Sequence, residues 1–148
     1  MAPPSKIGLI TPEYIVALRK AASQVKDSWA LCEFAGNCEA ETIIAQTLRA
    51  AFANWEKQEL PCSFAHPNLQ MSSGFGLVDN PRGFDIAIKR GWIVSQSVPA
   101  SEVKEIPEGC APSKKGGKVT LLWPTMELFA DIDAHIRRMA ARAKARKR

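Results

Sequence analysis

The sequence predicts an α+β domain, mainly helical. A helical hairpin comes first, then a short helix with a two-stranded β-hairpin, then a long basic C-terminal helix. Three observations lead to this. Apolar residues recur at helical spacing in two N-terminal stretches and one C-terminal stretch. Two short β-prone runs, Trp92-Ile93-Val94 and Val119-Thr120-Leu121-Leu122-Trp123, lie between them. The 148 residues, 46% apolar and 24% charged, suffice for one domain with a core that needs neither disulfides nor metal. Such a composition does not suit whole-chain disorder. The expected organisation is a flexible N-terminus over residues 1–10, a globular domain over 11–136 and a basic helix end over 137–148.

The first helix is expected from Pro12 to about Leu31. Thr11 is a good cap, Pro12 suits the first helical position and Glu13 complements the dipole. Ile15, Leu18, Ala22, Val25 and Trp29 form its stripe, and Gly36-Asn37 stops it. The second helix, from about Ala40 to Lys57, carries the strongest periodicity: Ile43, Ile44, Thr47, Leu48, Ala51, Phe52 and Trp55. A short loop between the two implies an antiparallel pair. Pro61, Pro67, Gly74, Gly76 and Asn80 then interrupt any long element, leaving room for a helical turn near 68–71. Gly74-Phe75-Gly76 lacks the Lys-Ser/Thr of a phosphate loop and reads as a turn.

The third helix runs from Pro81 to Lys89, with Asn80 as cap and Gly91 as stop. The two β-prone runs then pair across a connection rich in Pro, Ser, Lys and Gly. The fourth helix starts at the Thr125 cap. Glu127, Asp131 and Asp133 come early and the basic residues late, which matches the macrodipole. Its stripe is Phe129, Ile132, Ile136, Met139 and Ala143, and fraying is expected beyond Ala143. The four tryptophans, Trp29, Trp55, Trp92 and Trp123, fall on these elements and read as core. His135 reads as exposed.

No stretch approaches the ~18 apolar residues of a membrane span. Residues 1–13 lack the apolar centre of a signal peptide. The expected compartment is the cytoplasm, with nucleoid association if DNA is bound. The net charge of +5 is unevenly spread. Arg137, Arg138, Arg142, Lys144, Arg146, Lys147 and Arg148 fall in the last twelve residues with no acid among them. The other thirteen basic residues face fifteen acids, so the rest of the chain stands at −2. The basic tail therefore seeks polyanions, while the domain need not. Neutralising phosphates releases counterions, so such binding is salt-dependent and carries little sequence information. The tail offers only Met139 and alanines for insertion into a bilayer, which disfavours a membrane.

Cys32, Cys38, Cys62 and His66 offer four zinc ligands, with Cys110 left over. The spacing Cys-x5-Cys is wider than usual for zinc, and buried free cysteines with a solvated histidine are the expected state. No cofactor is expected. Gly-x-Ser-x-Gly and His-Glu-x-x-His are both missing, and Asp79 and Asp85 suit capping and pairing with Lys89 better than acid-base chemistry. The reading is therefore not an enzyme.

The segment from Asn80 to Val94 reads as helix, glycine, strand. With Lys114-Lys115-Gly116-Gly117-Lys118 as a basic turn, residues 80–123 resemble the junction of recognition helix and wing in winged helix-turn-helix DNA-binding proteins. One departure is that the helix expected before the recognition helix falls in the Pro- and Gly-broken stretch 62–79. The resemblance implies that Arg82, Lys89 and Arg90 reach phosphates or base edges. Lys114, Lys115 and Lys118 would then reach the flanking backbone. The expected function is non-catalytic binding of nucleic acid, DNA in the first place, by a regulatory or accessory protein. The alternative is a protein-interaction module that dimerises or docks through Phe129, Ile132 and Ile136.

Overall fold

The structure, a computed structural model, describes residues 3–26, 28–65, 81–106 and 116–146. The expected turn near 68–71, the Gly74-Phe75-Gly76 segment, the Asn80 cap and Cys110 lie outside them.

Helix α1 spans Pro12–Gln24. Thr11 Oγ1 accepts the Tyr14 N–H at 3.2 Å, which satisfies one of the orphan donors of the first turn. The helix ends seven residues before the expected Leu31. Val25 leaves helical geometry at φ −114° and ψ 59°, and residues Ser28–Leu31 form a separate 3₁₀ turn. The reversal buries Leu31 completely and turns Trp29 outward, 80% exposed. The expectation that Trp29 lies in the core is thereby corrected: it extrapolated a helical period past the true end.

Helix α2 spans Cys38–Gln58, capped by Asn37, whose Oδ1 accepts the Ala40 N–H at 3.0 Å. It runs antiparallel to α1. Arg49 Nη1 donates to the Lys26 carbonyl at 2.6 Å, Arg19 lies 5.7 Å over the Phe52 ring, and Trp55 shares a groove with Ile15. Residue numbers thus rise along one helix as they fall along the other. Glu59 at φ 57° ends α2, and the chain enters β1, Ser63–Phe64.

Helix α3 covers Pro81–Lys89 as the sequence predicts. Strand β2, Ile93–Pro99, and strand β3, Lys118–Pro124, pair antiparallel from Ile93 opposite Pro124 to Pro99 opposite Lys118. β1 joins the other edge of β3, so the sheet order is β1-β3-β2. Two residues are too few to show the alternation that marks a strand, so β1 is not legible in the sequence.

Helix α4 spans Met126–Arg146. Thr125 Oγ1 accepts the Leu128 N–H at 3.1 Å and donates to the Gly91 carbonyl at 2.7 Å. One side chain thus caps the helix and ties it to the start of the hairpin. The helix persists beyond Ala143, where fraying was expected.

Three apolar clusters result. Leu18, Ile44, Leu48, Leu128, Phe129 and Ile132 join α1, α2 and α4, with Trp92 among them. Cys62, Phe64, Val98, Val119, Leu121 and Trp123 pack at the sheet. Ile43, Phe84, Ala87, Ile93 and Leu122 seat α3 on α2 and the hairpin. Leu121 and Leu122 go to different clusters, as the two-residue period of a strand requires.

Phe129 is 5% exposed and Ile132 is fully buried, while Ile136 packs against the same cluster. The seam expected to bind a partner is used inside the domain. The α1 stripe is apolar and α4 is tied down at Thr125, so this is where both helices bury area. Tyr14 adds to the joint: its ring meets Phe129 edge to face at 5.3 Å and its hydroxyl donates to the Pro124 carbonyl. Burial raises its phenol pKa well above the usual range, so it remains a neutral donor. On the surface of the same joint, the Gln24 amide and the Lys20 ammonium, at 3.1 Å each, hold the Asp133 carboxyl below its usual pKa.

Candidate nucleic-acid interface

On α3, Gly83, Phe84 and Ala87 are buried, and Arg82, Asp85 and Lys89 are exposed. Positions 82, 85 and 89 are three and four residues apart and so share one face. The packing that presents this face is close. A Cβ on Gly83 would stand 2.6 Å from both the Ala40 nitrogen and the Glu39 carbonyl carbon, so α3 rests backbone to backbone on the first turn of α2. No ion pair joins Asp85 to Lys89 among the described residues.

Arg90 follows the helix, and its guanidinium lies 5.0 Å over the Trp92 ring, a cation–π contact. Trp92 is held from three sides. Its Nε1–H donates to Asp131 at 2.9 Å, Phe34 stacks on it at 4.6 Å, and its carbonyl accepts the Thr125 N–H at 3.1 Å. Arg90 is thus more constrained than Arg82 or Lys89. Lys118 opens β3, exposed, at the far end of the hairpin from α3. Lys114 and Lys115 lie outside the described residues.

The basic end of α4 is helical and solvent-facing. Arg137, Arg138 and residues 140–146 are all exposed. Arg137 pairs with Asp133 at 3.0 Å, and Arg142 pairs with Glu33 at 3.4 Å. No ion pair engages Arg138, Lys144 or Arg146 among the described residues. Lys147 and Arg148 lie outside them. Arg138, Arg142 and Arg146 repeat every four residues and so form one row along the helix. Alanines at 140, 141, 143 and 145 separate these side chains, and Glu33 pairs with the middle one, Arg142.

α3 and the basic row do not form one continuous positive face. The end of α3 meets α4 at its acidic first turns, through Trp92 to Asp131 and through Gly91, where an added Cβ would stand 3.1 Å from Glu127 Oε2. Arg142 lies about 16 Å further along the helix axis at 1.5 Å per residue. The positive groups are therefore spread over an extended surface with acids between them.

His135 is 6% exposed, contrary to the expectation of an exposed ring. Its place three residues after Ile132 on the core stripe was the signal for burial. The ring meets Phe34 edge to face at 5.3 Å, while Nε2 has no partner among the described residues. Desolvation, with Arg138 next, lowers its pKa from the usual 6.5. A depressed histidine pKa means that the unfolded chain takes up the proton first as pH falls. Stability should therefore decline as pH drops below about 6.5 and level off under the folded-state value. Urea melts between about pH 7.5 and about pH 5 should show this decline, and His135→Phe, which cannot be protonated, should flatten it.

Of the four possible zinc ligands, the three described ones do not gather at one point. Cys32 and Cys38 are exposed and Cys62 is buried. Cys62 belongs to the sheet cluster, where burial pushes its thiol pKa up, the opposite of what a metal-binding thiolate needs. His66 lies outside the described residues, and among those described no three His, Cys, Asp or Glu side chains converge on a metal position. No helix of the described residues is long and apolar enough to cross a membrane. A cleft of about 700 Å³ lies beside Ile88, Ile93, Ser95 and Thr125, with Lys6 and Glu127 as its charged lining residues. Compared with protein-family models, with curated proteins and with solved structures, the chain finds no match.

Proposed function

We infer that this chain is a non-catalytic nucleic-acid-binding protein that engages duplex DNA as a regulatory or accessory factor. The observation that carries the reading is the basic row on α4. Past its buried half the helix continues into solvent, and Arg138, Arg142 and Arg146 line one side of it. A rigid row of guanidiniums suits a regularly spaced line of phosphates, and displaced counterions supply the driving force.

The connectivity supports a winged-helix version of the reading. Helix α2, strand β1, helix α3 and the β2-β3 hairpin follow in that order, and β1 closes on β3. In a winged helix, α3 would be the recognition helix and the far end of the hairpin the wing. The exposed face of α3 suits this role because it is mixed. Arg82 and Lys89 attract phosphate or guanine, while Asp85 repels phosphate and can accept from the amino group of cytosine. A purely electrostatic surface would have no use for Asp85. Burial of Phe129 and Ile132 in the domain core weighs against the protein-partner alternative, which would need them exposed.

Fluorescence anisotropy with mixed-sequence duplex DNA tests the reading. Arg82→Ala and Lys89→Ala should each weaken binding and lower the salt slope by about 1 if they meet phosphate. Asp85→Ala should tighten non-specific binding. Unchanged affinity in all three variants would remove α3 from the interface.

A further inference from the structure

A small pocket of about 170 Å³ lies where the 3₁₀ turn meets α2, lined by Trp29, Cys32, Cys38, Glu41 and Thr42. Cys32 and Cys38 are both free thiols and both exposed. They stand at the two ends of one tight loop. Cys32 follows the 3₁₀ turn, and its N–H donates to the Trp29 carbonyl at 3.1 Å. Cys38 is the first residue of α2. Between them the chain folds back through left-handed backbone at Glu33, φ 64°, and Gly36, φ 71°.

The inner side of this loop is fixed. The Ala35 N–H donates to the buried Glu41 carboxylate at 2.9 Å, the Phe34 N–H donates to the Leu31 carbonyl at 2.8 Å, and the Phe34 ring stacks on Trp92. Packing holds the loop from within, while both thiols face one pocket from without.

We propose that Cys32 and Cys38 are a modification site, a thiol pair that hydrogen peroxide converts into an intramolecular disulfide across residues 33–37. One thiol, as its thiolate, attacks the peroxide oxygen and becomes a sulfenic acid, releasing hydroxide that takes up the lost proton as water. The second thiol then attacks that sulfur, its proton leaves with the hydroxyl as a second water, and the S–S bond forms. Two thiols are oxidised by two electrons, and one peroxide is reduced to two waters. Cys62 does not compete, because it is buried and its thiol pKa is raised. The same loop holds Glu33, which pairs with Arg142, so closing it covalently fixes the point where the domain touches the basic helix.

The test uses the full reduced chain and does not depend on nucleic-acid binding. The chain is exposed to hydrogen peroxide, its remaining thiols are alkylated, and it is digested with trypsin without reduction. Cleavage after Lys26 and Arg49 places both cysteines in one peptide. The expected product is that peptide, two hydrogens lighter and not alkylated, and it returns to the dithiol form with dithiothreitol. Cys32→Ser and Cys38→Ser should each abolish it while leaving the circular dichroism spectrum unchanged, since both side chains are exposed. Alkylation of both cysteines after peroxide would overturn the assignment. So would over-oxidation to sulfinic acid, or linkage to Cys62, to Cys110 or between chains.

Discussion

Replacing Arg138, Arg142 and Arg146 together by glutamine should weaken binding to duplex DNA about 100-fold at roughly 0.1 M salt. The row occupies one side of an exposed helix, so all three side chains can meet one phosphate backbone. Three released contacts correspond to a loss of about 2.7 in the slope of log affinity against log salt. The loss should be similar for different duplex sequences, because phosphate contacts carry no sequence information. Folding should be nearly untouched. The triple change breaks one ion pair, Arg142–Glu33, between side chains that are 66% and 75% exposed. Such surface pairs contribute about 0–1 kcal/mol. A thermal melt run beside the binding assay separates lost contacts from lost structure. An unchanged salt slope would mean that the row does not touch the ligand.

Gly83→Ala should destabilise the fold by roughly 1–3 kcal/mol, although alanine is the better helix former. In an exposed helix the exchange would help by roughly 0.5–1 kcal/mol. At Gly83 the added carbon would stand 2.6 Å from backbone atoms of Glu39 and Ala40 and 2.8 Å from Glu39 Cβ. The nearest obstacles are backbone atoms of a capped helix, so α3 itself must lift. Lifting it loosens Phe84 and Ala87 in the cluster with Ile43, Ile93 and Leu122, and it moves the face carrying Arg82 and Lys89. Denaturant melts should show the stability loss, and DNA affinity should fall without the uniform drop in salt slope expected for the arginine row. A variant as stable as the parent would contradict the close approach of α3 to α2.

Much of the fold was legible because its elements are punctuated. Thr11-Pro12, Pro81 and Thr125 mark three helix starts, and each helix begins there. Ile93-Val94 and Val119 to Trp123 lie in the two strands that pair, and Trp92 immediately precedes the first of them. What could not be read is what depends on contacts distant in sequence. Val25 and Trp29 continue the α1 period by spacing alone, whereas the chain turns away after Gln24. β1 is a strand only because β3 offers it an edge. The α4 stripe reads equally well as a docking seam or as core, and only the structure shows that Phe129 and Ile132 pack into the core with α1 and α2.

The candidate site divides in the same way. The charges of the tail are visible in the sequence, but their alignment as a row depends on the helix continuing to Arg146. Arg90 looks equivalent to Lys89 in sequence, yet its guanidinium lies over Trp92. The acids that separate α3 from the row, Glu127 and Asp131, appear only when the helices are seen to meet.

A salt titration of binding to mixed-sequence duplex DNA, single-stranded DNA and structured RNA tests DNA binding by this chain most directly. It compares the intact chain with one ending at Ile136, which keeps Leu128, Phe129, Ile132 and His135 of the α4 core. The intact chain should bind duplex DNA best and with a steep salt dependence. The shortened chain should bind more weakly, with a shallower slope and the same preference for duplex. Absence of binding by both chains at moderate salt, or equal binding by both, would contradict this reading.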